Sequence, residues 1–201
     1  MSGAAYGPVS AFAGLPTAAG TGSGVVATER DGLGIAHVTA RNARTAALGQ
    51  AIRERFHLAL PDGPRRECNG EVAVAGIGPG RWLLTCENGG NAFAAGLRDS
   101  LENHAAVVDL SDAYLVLRLA GARLRGALAK LVPIDLHERS FGVGDVAQTV
   151  AEHMSVVLWR LEDSALGEVA FELAVGRSYA DSLYRAIRDS AAEFGFVLEP
   201  A

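Results

Sequence analysis

The chain has 201 residues, of which 49% are hydrophobic and 20% charged, a balance typical of a folded globular protein rather than a disordered one. Its 18 basic and 23 acidic side chains give a net charge of −5, which argues against the broad basic surface that nucleic-acid binding requires. The sequence has no apolar run of about 18 residues and no basic, apolar leader, so we expect no membrane span and a cytoplasmic location. Two cysteines, Cys68 and Cys86, are too few for a disulfide framework and are expected to be free thiols.

The first 32 residues are rich in Gly, Ala, Ser, Thr and Pro and show no periodicity. This composition predicts a flexible or partner-docked arm over residues 1–32. Tyr6, Phe12 and Leu15 are apolar side chains that such a segment does not need. We therefore expect them to anchor the arm on a partner surface.

Residues 33–110 form the first predicted half. Leu48, Ile52 and Phe56 recur at four-residue spacing, which is typical of an amphipathic helix. The predicted elements are a strand at 34–40, a helix at 43–56 capped by Asn42, hairpin strands at 71–77 and 81–86, a helix at 91–103 capped by Asn91, and a strand at 106–110.

Residues 111–201 repeat the pattern. The predicted elements are strands at 114–119, 145–151, 154–161 and 168–175, a helix at 121–131, and a last helix at 178–194 capped by Ser178 with Asp181. The order β-α-β-β thus begins both halves. It predicts an α+β fold of duplicated ferredoxin-like β-α-β-β units, with residues 33–201 as a single domain made of two similar halves.

Few residues in this chain indicate chemistry. Gly20, Gly22 and Gly24 do not have the spacing of a phosphate-binding loop, and turn or linker glycines are the better interpretation. The five histidines have no ligand spacing, so no metal site is predicted. Asp109 and Ser111 could belong to an acid–base or nucleophile constellation, but turn or helix caps are their ordinary role.

Two further groups are candidate sites. Arg81 and Trp82 follow a Pro-Gly turn, where they could contact a partner, since both residue types are enriched at binding hot spots. Trp82 could equally well be a core residue. Asp135, His137 and Arg139 could form a polar cluster, for which a loop-fixing hydrogen-bond network is the preferred interpretation.

Several short motifs are distributed along residues 33–196. They are Gly78-Pro79-Gly80-Arg81-Trp82-Leu83, Asp109-Leu110-Ser111, Gly121, Ile134-Asp135-Leu136-His137, Phe141, Gln148-Thr149, His153 and Arg177-Ser178. Together they resemble the gamma subunit of heterotetrameric sarcosine oxidase. More distantly, they resemble the folate-binding aminomethyltransferase (glycine-cleavage T-protein) family.

The resemblance implies a folate-binding-domain-like fold and a non-catalytic gamma subunit that supports assembly and stability. The implied partners are alpha, beta and delta subunits, in a complex that oxidises sarcosine to glycine and passes the one-carbon unit to tetrahydrofolate. FAD, FMN, NAD, tetrahydrofolate and zinc are expected on those partners. This chain is expected to have no cofactor, metal or catalytic residue of its own.

The sequence departs from the folate enzymes in one hairpin. There the family carries acidic residues that handle folate, whereas this chain has Val156, Val157, Leu158 and Trp159. Such side chains cannot act as a base or pair with a developing cation. An independent folate-binding or aminomethyltransferase-like protein remains the alternative. A free-standing scaffold is a third reading, but the cysteine motif K-G-C-Y-x-G-Q of the iron–sulfur assembly relatives is not found in the sequence.

Overall fold

The computed structural model describes residues 10–164 and 167–200, which contain two β-sheets and four α-helices. The strands are β1 (Ala18–Ala19), β2 (Val25–Glu29), β3 (Gly34–Ala40), β4 (Arg66–Cys68), β5 (Val72–Gly78), β6 (Arg81–Cys86), β7 (Ala105–Asp109), β8 (Tyr114–Ala120), β9 (Val146–Ala151), β10 (Met154–Arg160), β11 (Ala170–Gly176) and β12 (Phe196–Glu199). The helices are α1 (Thr45–Phe56), α2 (Gly90–Leu101), α3 (Leu124–Leu128) and α4 (Ala180–Ala191), with 3-10 turns at Arg177–Tyr179 and Ala192–Phe194.

The small sheet has the strand order β4-β5-β6-β3-β7, with every neighbouring pair antiparallel. Its unit β3-α1-β5-β6-α2-β7 places the first strand between the third and fourth. This is the ferredoxin-like arrangement that the sequence pattern predicts. β4 adds a short outer strand beside β5.

The large sheet has the order β1-β12-β2-β8-β11-β10-β9. Its second unit, β8-α3-β10-β11-α4-β12, follows the same plan with one change. β2 lies between β8, to which it is antiparallel, and β12, to which it is parallel. The N-terminal segment therefore supplies a central strand of the large sheet.

Strand alternation divides the interior into three apolar clusters. Within β8, Leu115, Leu117 and Leu119 face α3 and α4, whereas Val116 faces the small sheet. Within β3, Ala36 and Val38 pack against α1 and α2. The two sheets therefore pack face to face, with helices covering each outer side.

The predicted arm is wrong over residues 10–32. Phe12 is 4% exposed and packs on the Tyr184 ring, with ring centroids 5.9 Å apart. Leu15 is partly buried against the same core, and the Leu198 amide donates to the Thr17 carbonyl at 2.7 Å. Phe12 thus binds the chain's own core rather than a partner, whereas the partner contact of the partly buried Leu15 remains a prediction. Residues 1–9, including Tyr6, lie outside the described residues.

Glycines at 20–24 allow this segment to pack closely. A Cβ on Gly24 would lie 2.4 Å from the Phe194 carbonyl oxygen, and one on Gly20 would lie 2.1 Å from that of Ala192. The Gly24 amide donates to the Phe194 carbonyl at 3.1 Å. These glycines are therefore close-packing residues that lead the chain into β2, neither a linker nor a phosphate loop.

The predicted caps are also wrong. No side-chain cap bond is present at the starts of α1, α2 or α4, whose N-cap residues are Arg44, Gly89 and Tyr179. Asn91 donates instead to Asp112 at 2.7 Å. The predicted helix at 121–131 shortens to α3, because Gly121 has a φ of 133°, outside the helical region, and approaches the Gly24 backbone.

Candidate functional site

A cavity of about 550 Å³ lies where the chain crosses from β2 in the large sheet to β3 in the small sheet. Its charged and polar lining residues are Glu29, Arg30, Asp31, Asn91, Ser111, Asp112, Tyr114 and Arg177. Its lining is mainly polar, and three of its residues are acidic and two basic. The partners of its charged groups determine what it can do.

Glu29 ends β2 and is 6% exposed. Its carboxylate accepts from the Ser10 hydroxyl and from the Ala11 amide at 3.1 Å. Arg177 Nη1 lies 3.9 Å from Glu29 Oε1. Because the Ser10 hydroxyl and the Ala11 amide both donate to it, the Glu29 carboxylate fixes the N-terminal segment beside the cavity.

Glu172 in β11 is the most heavily engaged carboxylate of the interior. It is 4% exposed and accepts from Trp159 Nε1 at 2.8 Å and from Arg118 Nε at 2.9 Å. Arg30 Nη1 lies 3.6 Å from Glu172 Oε1, and the same guanidinium binds Glu87 of the small sheet. These groups form an ionic network that bridges the two sheets and contains its own counter-charges.

Sequence reasoning missed this network. The signal that could have found it is Glu172 itself, a carboxylate in the middle of the apolar run AFELAVG. A charge in a buried strand needs a buried partner.

Asp109 and Ser111 form a turn. The Ser111 hydroxyl donates to Asp109 Oδ1 at 2.7 Å and accepts from the Ile35 amide at 3.0 Å. The Ser111 amide also donates to Asp109 at 3.0 Å. The pair therefore ties the β7–β8 connection to β3, which is the capping role rather than a nucleophile constellation.

Asp135 and His137 lie in one hydrogen-bonded loop rather than on one face of a strand. Asp135 accepts from the Ser140 hydroxyl at 2.6 Å and from the His137 amide at 2.9 Å, and His137 Nδ1 accepts from the Arg139 amide at 3.2 Å. The Ser140 and His137 donors lower the pKa of the Asp135 carboxyl below its usual range. Only the backbone of Arg139 is shown to join this cluster.

Arg81 and Trp82 are neighbours in β6, so their side chains point to opposite faces of the strand. Trp82 is 4% exposed and donates from Nε1 to the Pro61 carbonyl at 3.0 Å, so its proposed contact with a partner is wrong. The core-residue alternative holds for Trp82. Arg81 is exposed on the opposite face of the strand, and its partner contact remains a prediction.

A family model for the sarcosine oxidase, gamma subunit family matches residues 39–193. The chain belongs to this family. Relatives named sarcosine oxidase subunit gamma include that of Corynebacterium sp. strain U-96, 32% identical over 124 residues, and that of strain P-1, 30% identical over 123 residues. Each match covers 61% of this chain and 58% of the relative, so the chain spans only part of the length of the relatives that it matches.

Solved structures agree with the fold of the gamma subunit family. A chain of heterotetrameric sarcosine oxidase from Corynebacterium sp. U-96, in complex with pyrrole 2-carboxylate, superposes with a TM-score of 0.73 and 26% identity, and the match covers 88% of both chains. Glycine cleavage system aminomethyltransferase T from Bartonella henselae gives a TM-score of 0.61 at 13% identity over 88% of this chain and 47% of that one. The second likeness shows a shared fold, as the sequence resemblance implies.

The β9–β10 hairpin carries the apolar residues Val156, Val157, Leu158 and Trp159. Val156 and Leu158 point into the core beneath α3 and α4, while Val157 and Trp159 pack between the sheets. Its tip holds Glu152, exposed and 4.0 Å from His153. β10 is thus packed against apolar side chains on both of its faces.

Three features of residues 10–164 and 167–200 bear on metal, redox and membrane roles. No three His, Cys, Asp or Glu side chains of that part form a group that could hold a metal ion. Cys68 and Cys86 are free, and burial with nearby Glu71 and Glu87 raises the pKa of the Cys86 thiol. None of the helices described there is long and apolar enough to cross a membrane.

Proposed function

We propose that this chain is the gamma subunit of a heterotetrameric flavin-dependent sarcosine oxidase and that it supports assembly and stability without an active site of its own. The family match over residues 39–193 carries this proposal. The TM-score of 0.73 to a chain of heterotetrameric sarcosine oxidase, with 88% of each chain covered, supports it.

The interior geometry favours a structural role for the buried charges. Donors within this chain occupy the oxygens of Glu29 and Glu172. An acid–base catalyst must instead present its carboxylate to a substrate within hydrogen-bond reach. The buried acids here fix the N-terminal segment and the packing of one sheet on the other.

The partners in this proposal are alpha, beta and delta subunits in the cytoplasm. They would bind FAD, FMN, NAD, tetrahydrofolate and zinc, oxidise sarcosine to glycine and transfer the one-carbon unit to tetrahydrofolate. The gamma chain would hold no cofactor and would act through its surfaces.

The test combines reconstitution with spectroscopy. The chain is co-expressed with the alpha, beta and delta subunits of its own organism and the product is sized, assayed for sarcosine oxidation and compared with the three-subunit preparation. We expect gamma to co-elute at one copy per complex and to increase the yield or thermal stability of the active enzyme. Stoichiometric flavin on the isolated chain, or saturable one-to-one binding of tetrahydrofolate, would refute the cofactor-free role and favour an independent folate protein.

A further inference from the structure

The four sheet edges of this chain differ in how they are protected. β1 has only two residues, and β4 has three, of which Arg66 and Glu67 are charged. Short strands and charged side chains are two of the means by which proteins prevent an edge from pairing with another chain. The edges formed by β7 and β9 are longer, with five and six residues.

β9 is the least protected of these edges. Its sequence VAQTVA contains no charge, proline or glycine. Val150 is 40% exposed, one of the few large apolar side chains on the described surface. An uncharged strand of this length with an exposed valine is normally covered in the working protein.

The ladder between β9 and β10 shows which backbone groups are open. Ala151 pairs with Met154 across a two-residue turn, so its N–H and C=O point toward β10. Every second residue before it, Thr149 and Ala147, points the same way. The backbone N–H and C=O groups of Gln148 and Val150 therefore point away from β10, toward the open edge of the sheet. The Val146 amide points to the same side and already donates to the Pro64 carbonyl at 2.9 Å, so that donor is paired within the chain.

A cavity of about 410 Å³ lies beside this edge. Gln148 of β9 lines it together with Pro61, Pro64, Ile77 and Trp82 of the small-sheet side. Its walls are mostly apolar side chains and the backbone of the glycine-rich turn at 78–80. No residue of β7 lines this cavity, so of the two longer edges β9 is the one that lies beside it.

We propose that the β9 edge receives an extended, uncharged strand from another subunit of the complex, with one apolar side chain of that strand seated in the cavity beside Gln148. Added strands gain affinity from main-chain hydrogen bonds and specificity from pockets for alternate side chains, and this edge offers both. A helix would leave the open N–H and C=O groups of the edge unpaired, and a charged side chain would not suit the mostly apolar walls of the cavity. This proposal rests on the proposed function, because the strand belongs to a subunit of the sarcosine oxidase assembly.

Residue-resolved hydrogen exchange on the wild-type chain provides the direct test. In the isolated chain the Gln148 and Val150 amides should exchange quickly, while the Val146 amide serves as a protected internal reference. In the complex reconstituted with alpha, beta and delta subunits, both amides should slow by about 100-fold or more. Unchanged exchange of these amides in an assembled complex would overturn the strand-addition proposal and leave the proposed function standing.

A matched pair of variants tests the choice of edge. Val150 on β9 and Val108 on β7 are both exposed valines on edge strands, 40% and 52% exposed. Val150→Lys should weaken assembly about tenfold or more, since it buries an ammonium against an apolar strand, whereas Val108→Lys should assemble as the wild type does. Melting temperatures of the two isolated variants that match that of the wild-type chain show that the fold is intact.

Three outcomes count against the proposal. Loss of assembly in Val108→Lys alone would identify β7 as the docking edge. A wild-type dimer of the isolated chain with protected β9 amides would identify a second copy as the occupant. Failure of the wild-type chain to join the other subunits would refute the proposed function and, with it, this docking site.

Discussion

Replacing Glu172 with alanine should be the most costly polar change in this chain. The substitution removes the acceptor of the Trp159 indole N–H and the partner of Arg118. A buried donor left without an acceptor costs about 1–3 kcal/mol, and a lost hydrogen bond to a charged group about 1.5–3 kcal/mol. The Arg118 side chain is 41% exposed and can turn to water, and Arg30 still pairs with Glu87. The two arginines therefore contribute little to the expected loss of stability.

The expected loss for Glu172→Ala is therefore about 3 kcal/mol. For a chain of this size that corresponds to a melting temperature lower by about 6–12 °C. Glu172→Gln keeps an oxygen for Trp159 and should cost about 1–2 kcal/mol. The measurement is urea unfolding followed by tryptophan fluorescence, with the m-value compared between variants.

An exposed ion pair provides the control. Glu193 is 62% exposed and pairs with Lys130, so Glu193→Ala should change the free energy of unfolding by no more than about 1 kcal/mol. If Glu172→Ala costs no more than Glu193→Ala, the network does not hold the sheets together. If Glu172→Gln costs as much as Glu172→Ala, the indole contact does not contribute as described.

Three further predictions concern packing and pH. Gly24→Ala should lower the free energy of unfolding by about 1–3 kcal/mol because its Cβ would lie 2.4 Å from a backbone oxygen. Gly49→Ala in α1, where the nearest atom to the new Cβ is 3.9 Å away, should raise it by about 0.5–1 kcal/mol, and equal chemical-denaturation midpoints of the two variants would contradict the close approach at Gly24. Phe12→Ala should cost about 3–5 kcal/mol, and deletion of residues 1–24 at least as much, in thermal melts; an unchanged melt would restore the independent arm. Burial, with Arg81 nearby, lowers the pKa of His37 below its usual value of 6.5, so as the pH falls through 6.5 the unfolded chain takes up a proton that the folded chain does not. The free energy of unfolding should therefore fall in that pH window, and His37→Gln should flatten the profile of urea midpoint against pH. An unaltered profile in the variant would show that the pH dependence does not arise from His37.

The sequence predicted elements well where the pattern is local. The strands β3, β5, β6, β8 and β10 begin and end within one residue of their predictions, because each is a mostly apolar segment bounded by turn residues. The α+β class and the repeated β-α-β-β plan follow from the order of these elements.

Elements defined by distant partners could not be predicted this way. β2 has five residues, and its neighbours β8 and β12 lie far along the chain, so nothing near VVATE indicates a central strand. The flanking glycines at 20–24 look like linker residues until the Phe194 and Ala192 carbonyls that approach them are known. Tertiary contact also overrode the cap signals, since Asn91 binds Asp112 rather than its own helix.

The same distinction explains why the site residues were harder to predict than the fold. Phe12 and Trp82 were plausible partner contacts because large apolar side chains look alike whether they face the chain's own core or another protein. Burial within this chain settles both. Arg81 stays exposed, on the face of β6 opposite to Trp82.

The distribution of satisfied and unsatisfied groups indicates where this chain acts. Its buried carboxylates, Glu29 and Glu172, are bound by donors from its own strands and N-terminal segment. Along β9, by contrast, the Gln148 and Val150 backbone groups point outward beside an apolar cavity. Open backbone groups on an edge strand are groups that another chain can pair with. A gamma subunit that works through an added strand is what such a distribution favours.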